Sequence, residues 1–139
     1  MDSQCLIRMD RYLVNQIDFH LNPDFDFKTP QKRLDINPRF ERQVKKISEN
    51  SLLVELSISI HDNDTPAPFH LDIEISGMFQ CENWNAKPED EKLVIDSTTA
   101  ILFPYLRSLV TMVTANANIP PMIIPVMNVS ALFQKDSQK

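Results

Sequence analysis

Residues 100–133 read AILFPYLRSLVTMVTANANIPPMIIPVMNVSALF. The stretch opens on Ile101-Leu102-Phe103, passes through Pro104 and continues as a helical run whose only charge is Arg107. It breaks at Ile119-Pro120-Pro121 and resumes as a second apolar run, Met122 to Val129. On the helix, Ile101, Leu102, Tyr105, Leu106, Leu109, Val110, Met112 and Val113 cover well over half of the circumference. A helix that covers one side of a sheet needs a narrower stripe. The excess predicts a second contact, to another copy of the same chain, or a surface left open to other apolar groups.

Upstream of this stretch, Pro88-Glu89-Asp90-Glu91 has the chemistry of a helix start, with proline in the first turn and acids at the positive end. The pattern predicts a short helix ending near Ser97 and a second one running to about Ala117, with Pro104 in its first turn or at a kink. Downstream, Asn128 to Gln134 suits a last short helix capped by Asn128 or Ser130.

The middle of the chain alternates with period two. Val54, Leu56, Ile58 and Ile60 alternate with Glu55, Ser57, Ser59 and His61, and Phe69, Leu71, Ile73 and Ile75 with His70, Asp72, Glu74 and Ser76. Such alternation puts one set in a core and the other in water. The linker between them, residues 61–68, is turn chemistry, so the pair should form an antiparallel hairpin. Residues 5–21, ending in Ile17, Phe19 and Leu21, and residues 33–47, with Leu34, Ile36, Phe40 and Val44, are further strand candidates. Strands first and helices last make an α+β layout, a four-stranded antiparallel sheet with helices on one face. The 139 residues make one domain.

Composition excludes more than it suggests. Gly77 is the only glycine, against ten prolines. Phosphate-cradling loops and dinucleotide fingerprints need several glycines, so no ATP, GTP or NAD site of those kinds is expected, and no other cofactor. No Gly-x-Ser-x-Gly elbow is present, and no residue is predicted to be catalytic. The net charge of −5 argues against nucleic acid as a partner. No uninterrupted apolar stretch of spanning length predicts a membrane segment. Cys5 and Cys81 read as reduced thiols of a cytoplasmic protein.

The block Ile101 to Tyr105, with Arg107, Pro120, Asn128 and Ala131 to Phe133, resembles the C-terminal core of SecB, the protein-export chaperone. The likeness continues in register through Gly77-Met78-Phe79 and back to Ile17-Asp18-Phe19. The resemblance implies a SecB-like sheet with helices on one face, assembled as a dimer of dimers, a homotetramer. It also implies an ATP-independent holdase for unfolded or nascent polypeptides in protein export. Two other readings stay open: a SecB-like chaperone dedicated to one partner such as an antitoxin, and an oligomeric domain that binds no client.

Three candidate sites follow. An adaptable apolar groove binds unfolded segments without demanding sequence, and the chain offers Phe25, Phe27, Met78, Phe79, Trp84, Met122, Met127, Val129, Leu132 and Phe133. Each would serve equally as core or subunit interface. The resemblance favours Phe27, Val129, Leu132 and Phe133, since the family's groove lies between the sheet, the crossover loop and the last helix. The family's crossover-loop tryptophan is replaced here by Phe27-Lys28-Thr29. On the polar sheet face, the resemblance places the docking patch for the motor ATPase SecA at Gln16, His20, His70 and Asp72. Only Asp72 keeps the acid, with Asp18 and Glu74 able to supply charge. All three histidines, His20, His61 and His70, fall on polar-face strand positions, and the third candidate is zinc on His61 and His70, set opposite each other by a symmetric hairpin, with Asp72 close by. Without a tight ligand spacing, solvated surface histidines and no metal are the expectation.

Overall fold

The computed structural model describes residues 6–25, 38–60, 68–82, 88–119, 123–124 and 127–133. Four strands, β1 (Leu6–Leu21), β2 (Arg39–Ser48), β3 (Ser51–Ile60) and β4 (Phe69–Glu82), precede α1 (Pro88–Asn116) and α2 (Val129–Leu132). They form an antiparallel sheet in the order β1-β4-β3-β2. The α+β layout expected from the strand and helix patterns is the one observed.

The alternation in β3 and β4 sets the core. Leu52, Val54, Leu56, Ile58 and Ile60 are buried, as are Phe69, Leu71, Ile73, Ile75, Phe79 and Cys81. Their register, Ile60↔Leu71 through Leu52↔Phe79, keeps apolar side chains opposite one another on the helix side. Gly77 continues this buried row where the helix comes closest. A Cβ there would meet Phe79 Cε2 at 2.8 Å and Leu102 Cδ1 at 3.2 Å.

β1 hides its pattern. Its pairing with β4 slips between Met9 and Arg11 and again between Val14 and Gln16. Each slip inserts a residue and reverses the face. The helix-side row is therefore Ile7, Met9, Tyr12, Val14, Ile17, Phe19 and Leu21, opposite Cys81, Phe79, Gly77, Ile75, Ile73, Leu71 and Phe69. A simple period-two reading set by Ile17, Phe19 and Leu21 also takes in Ile7 and Met9 but misses Tyr12 and Val14, which lie between the two slips. β2 and β3 join through Glu49 and Asn50. Ser48 and Ser51 hydroxyls lie 2.7 Å apart across this turn, and the Asn50 carbonyl accepts from the Cys81 amide at 2.7 Å.

The helical region departs from expectation. One continuous helix of 29 residues replaces the two that were expected, with Pro104 inside it. An interior proline costs roughly 3 kcal/mol through its missing amide and its clash with the preceding turn. The side chains around it offset that cost. Val94, Leu102, Phe103, Leu106 and Val110 are buried, while Pro104 itself points outward. Thr98 and Thr114, also buried in this row, return their hydroxyls to the Val94 and Val110 carbonyls at 2.9 Å each. The helix ends where Asn118 takes a left-handed conformation, φ 63°. Its segment Asp90–Asn116 is long and apolar enough to cross a membrane by length and composition, contrary to the sequence expectation. A stripe buried on the sheet accounts for part of that apolar character, with 39% of its 18-residue apolar window buried.

Candidate functional site

α1 lies over the middle of the sheet and leaves the two margins different. At the β2 margin the short α2 closes the gap. Asn128 caps α2, its side-chain oxygen accepting from the Ala131 amide at 3.3 Å. Phe133 at the end of α2 is buried, edge-on to Phe103 with ring centroids 6.4 Å apart, and Phe103 in turn packs on Phe40 at 5.6 Å.

Arg42 holds this corner together. It occupies a core-facing position of β2 between Phe40 and Val44, and its side chain is only 4% exposed. Nη1 donates to Thr99 Oγ1 at 3.2 Å and to Asp96 Oδ1 at 3.4 Å, and Nη2 donates to the Phe133 carbonyl at 3.3 Å. The guanidinium also sits 5.0 Å from the Phe133 ring centroid, within cation–π range. Asp96 completes the set by accepting from Ser130 Oγ at 3.0 Å. One buried cation thus ties β2, α1 and α2 together. Sequence reasoning missed it, although a lone arginine in an otherwise apolar row (Phe40, Arg42, Val44) was the available signal.

At the β1 margin nothing comparable covers the sheet among the described residues. Val14, Ile17 and Leu21 are exposed on the helix side. Next to them α1 turns out Ile101, Tyr105 and Met112, and the Tyr105 ring lies 4.7 Å from that of Tyr12. Burial and the neighbouring ring hold the Tyr12 phenol above its ordinary pKa. Strand margin and helix flank together make one apolar surface.

The structure sorts the residues expected at each site. Of the proposed interface, Leu102, Leu106 and Val110 are fully buried against the protomer's own sheet, so they belong to its core. Leu109 and Val113 are half-buried, and Ile101, Tyr105 and Met112 face out. Of the proposed groove, Phe79 is a core residue of β4 with no exposure. Met78 points to the opposite sheet face, because neighbouring strand residues alternate. Neither can line a groove beside α2. Met127, Val129 and Leu132 are half-buried around the core, and Phe133 is shut beneath Arg42. Phe25 is half-buried beyond β1, where its amide donates to the Asn22 carbonyl at 3.2 Å. Phe27, His61, Trp84 and Met122 lie outside the described residues.

The open sheet face does gather its candidates. Asp18 pairs with Asp72 and His20 with His70 across β1 and β4. His20 Nε2 is 2.8 Å from Asp18 Oδ1, and His70 Nε2 is 2.9 Å from Asp72 Oδ2. The two imidazoles meet edge-on, 5.7 Å between centroids. Glu74 stands apart from them, accepting from Asn15 Nδ2 at 3.3 Å.

Comparison with known proteins agrees with this architecture. The family model described as preprotein translocase subunit SecB matches residues 3–139. An uncharacterized protein of Methanocaldococcus jannaschii is 32% identical over 134 residues, covering 94% of this chain and 84% of its own. The protein-export protein SecB of Bartonella quintana is 27% identical over 124 residues, covering 81% of this chain and 77% of its own. Among solved structures, the Mycobacterium tuberculosis SecB-like chaperone, in complex with a ChAD peptide from the HigA1 antitoxin, superposes with a TM-score of 0.67. It is 16% identical and covers 87% of this chain and 90% of its own. With the sheet order, the helix placement and a family match over nearly its whole length, the chain belongs to the SecB family, whose members are chaperones and not enzymes.

Proposed function

We propose that this protein is an ATP-independent holdase that assembles as a dimer of dimers in the cytoplasm and binds unfolded polypeptide. The observation that carries this reading is the divided surface of α1. One stripe is buried on the sheet, while Ile101, Tyr105 and Met112 remain exposed beside Val14 and Ile17. Burying apolar surface is worth about 25 cal/mol per Å², so a patch of this kind drives association. Arg107 supports a second copy as its cover, because its Nε is buried with no hydrogen-bond partner among the described residues. A carbonyl or carboxylate from a neighbouring protomer would complete it.

Clients take the other apolar edge, around α2. Val129 and Leu132 supply adaptable contacts, and Phe133 forms the fixed wall. The polypeptide held by the M. tuberculosis neighbour supports this class of ligand. Binding is by desolvation, and release is by handover to a partner. For export that partner is SecA, docking on the open sheet face at Asp18, His20, His70, Asp72 and Glu74. A second reading, a chaperone dedicated to one client, is favoured by Gln16, His20 and His70, which stand where the resemblance expects other residues.

Aggregation of a denatured protein, followed by light scattering without nucleotide, tests the reading. A holdase suppresses the rise at near-stoichiometric ratios. No suppression at a tenfold excess over client, about the most a weak holdase would need, leaves only an assembly domain.

A further inference from the structure

We propose that Asp18, His20, His70 and Asp72 form a binding site for a divalent transition-metal ion of the zinc class. The site would lie on the face of the sheet opposite α1. It rests on neither client binding nor assembly.

The sequence contains two mirrored triplets, Asp18-Phe19-His20 and His70-Leu71-Asp72. Separately each is unremarkable, an acid and a histidine on one face of a strand. Antiparallel pairing of β1 with β4 lays one against the other, so that acid faces acid and imidazole faces imidazole. Phe19 and Leu71, between the polar residues, point into the core side and anchor both strands. Sequence spacing alone did not bring His20 to His70, because it could not show that β1 and β4 are neighbours.

The geometry suits one ion. Asp18, His70 and Asp72 each bring a ligand atom to within 4.8 Å of the others, the one such group among the described residues. His20 stands just outside that group, its Nε2 2.8 Å from Asp18 Oδ1, and would join as a fourth donor by a change of rotamer. A tetrahedral zinc shell with bonds of about 2.0–2.2 Å sets its ligand atoms about 3.4 Å apart. The side chains are 27% to 66% exposed and can change rotamer to close that difference. Carboxylates placed directly opposite repel and weaken strand pairing. A cation between them converts that repulsion into attraction and fastens β1 to β4. Two imidazoles with two carboxylates select zinc, cobalt or nickel over magnesium or calcium, which take all-oxygen shells.

Calorimetric titration of Zn2+ into the metal-stripped full-length chain tests the proposal. One equivalent per protomer is expected, with no comparable heat from Mg2+. Loss of even an outer-shell partner costs a metal site about ten- to hundredfold in affinity. His20→Ala/His70→Ala should therefore weaken binding by more than about a hundredfold. On the unaltered chain, Zn2+ should shift the imidazole resonances of both His20 and His70 in NMR spectra. Absence of stoichiometric binding would overturn the proposal. So would undiminished affinity in the double variant, or loss of binding on His61→Ala alone with His20 and His70 unshifted.

Discussion

The Arg42 guanidinium lies over the Phe133 ring at 5.0 Å and donates to the same residue's carbonyl at 3.3 Å, so a β2 side chain holds both the ring and the backbone of the final turn. That contact divides the C-terminal segment into a fixed part and a partly exposed one. Phe133 is the fixed part. Leu132 beside it is half-buried.

Arg42→Ala should destabilise the protein by about 1–3 kcal/mol, because it frees the buried Phe133 carbonyl and removes the tie between β2, α1 and α2, while Asp96 keeps Ser130 and Lys92. Urea denaturation measures the loss. Hydrogen exchange locates it: the Leu132 and Phe133 amides, which donate to the Asn128 and Val129 carbonyls, should lose protection before the amides of β3.

Gly77→Ala should cost about 1–3 kcal/mol through overpacking. The added Cβ would press on the Phe79 ring at 2.8 Å and on Leu102 at 3.2 Å, both fully buried. The denaturation midpoint should fall with an unchanged slope. Adding Leu102→Ala should recover part of the loss, a coupling that a double-mutant cycle reads directly.

Much of the fold was legible because the central strands follow one period without interruption. Every second residue of β3 and β4 is apolar, and every one of those is buried. β1 was only partly legible, since two register slips move Tyr12 and Val14 onto the helix side against the simple parity. Pro104 suggested a boundary that packing overrides. The sites depended more heavily on tertiary placement. Leu102, Leu106 and Val110 could not be separated from Ile101, Tyr105 and Met112 until the sheet showed which side it occupies. Arg42 with Phe133, and His20 with His70, are juxtapositions that depend on strand order.

Tyr105→Glu and Met112→Glu should each reduce the assembly to smaller species in light-scattering chromatography while leaving the fold intact. Both side chains point away from the core, at 41% and 47% exposure, so a charge there is solvated in the free protomer and desolvated only in an interface. Leu106→Ala, by contrast, should lower stability by about 2–5 kcal/mol through a cavity against the sheet.

Tyr12 should titrate late. Its phenol is held above the ordinary value of 10.0 by burial and by Tyr105. The unfolded chain loses this proton first, so stability contributed here is complete below pH 10 and declines as pH rises through the raised value. Ultraviolet absorbance of the phenolate should show the delay, and Tyr12→Phe should abolish it.

Client binding at the α2 edge is tested most directly by sedimentation of the purified protein with a permanently unfolded polypeptide, without nucleotide. The expected result is a defined complex whose affinity falls about tenfold in Leu132→Ser, roughly the loss of one buried leucine contact, with the free oligomer unchanged in mass. An unaltered protein that never co-sediments with the polypeptide, or a Leu132→Ser variant that binds as well as the parent, would contradict it.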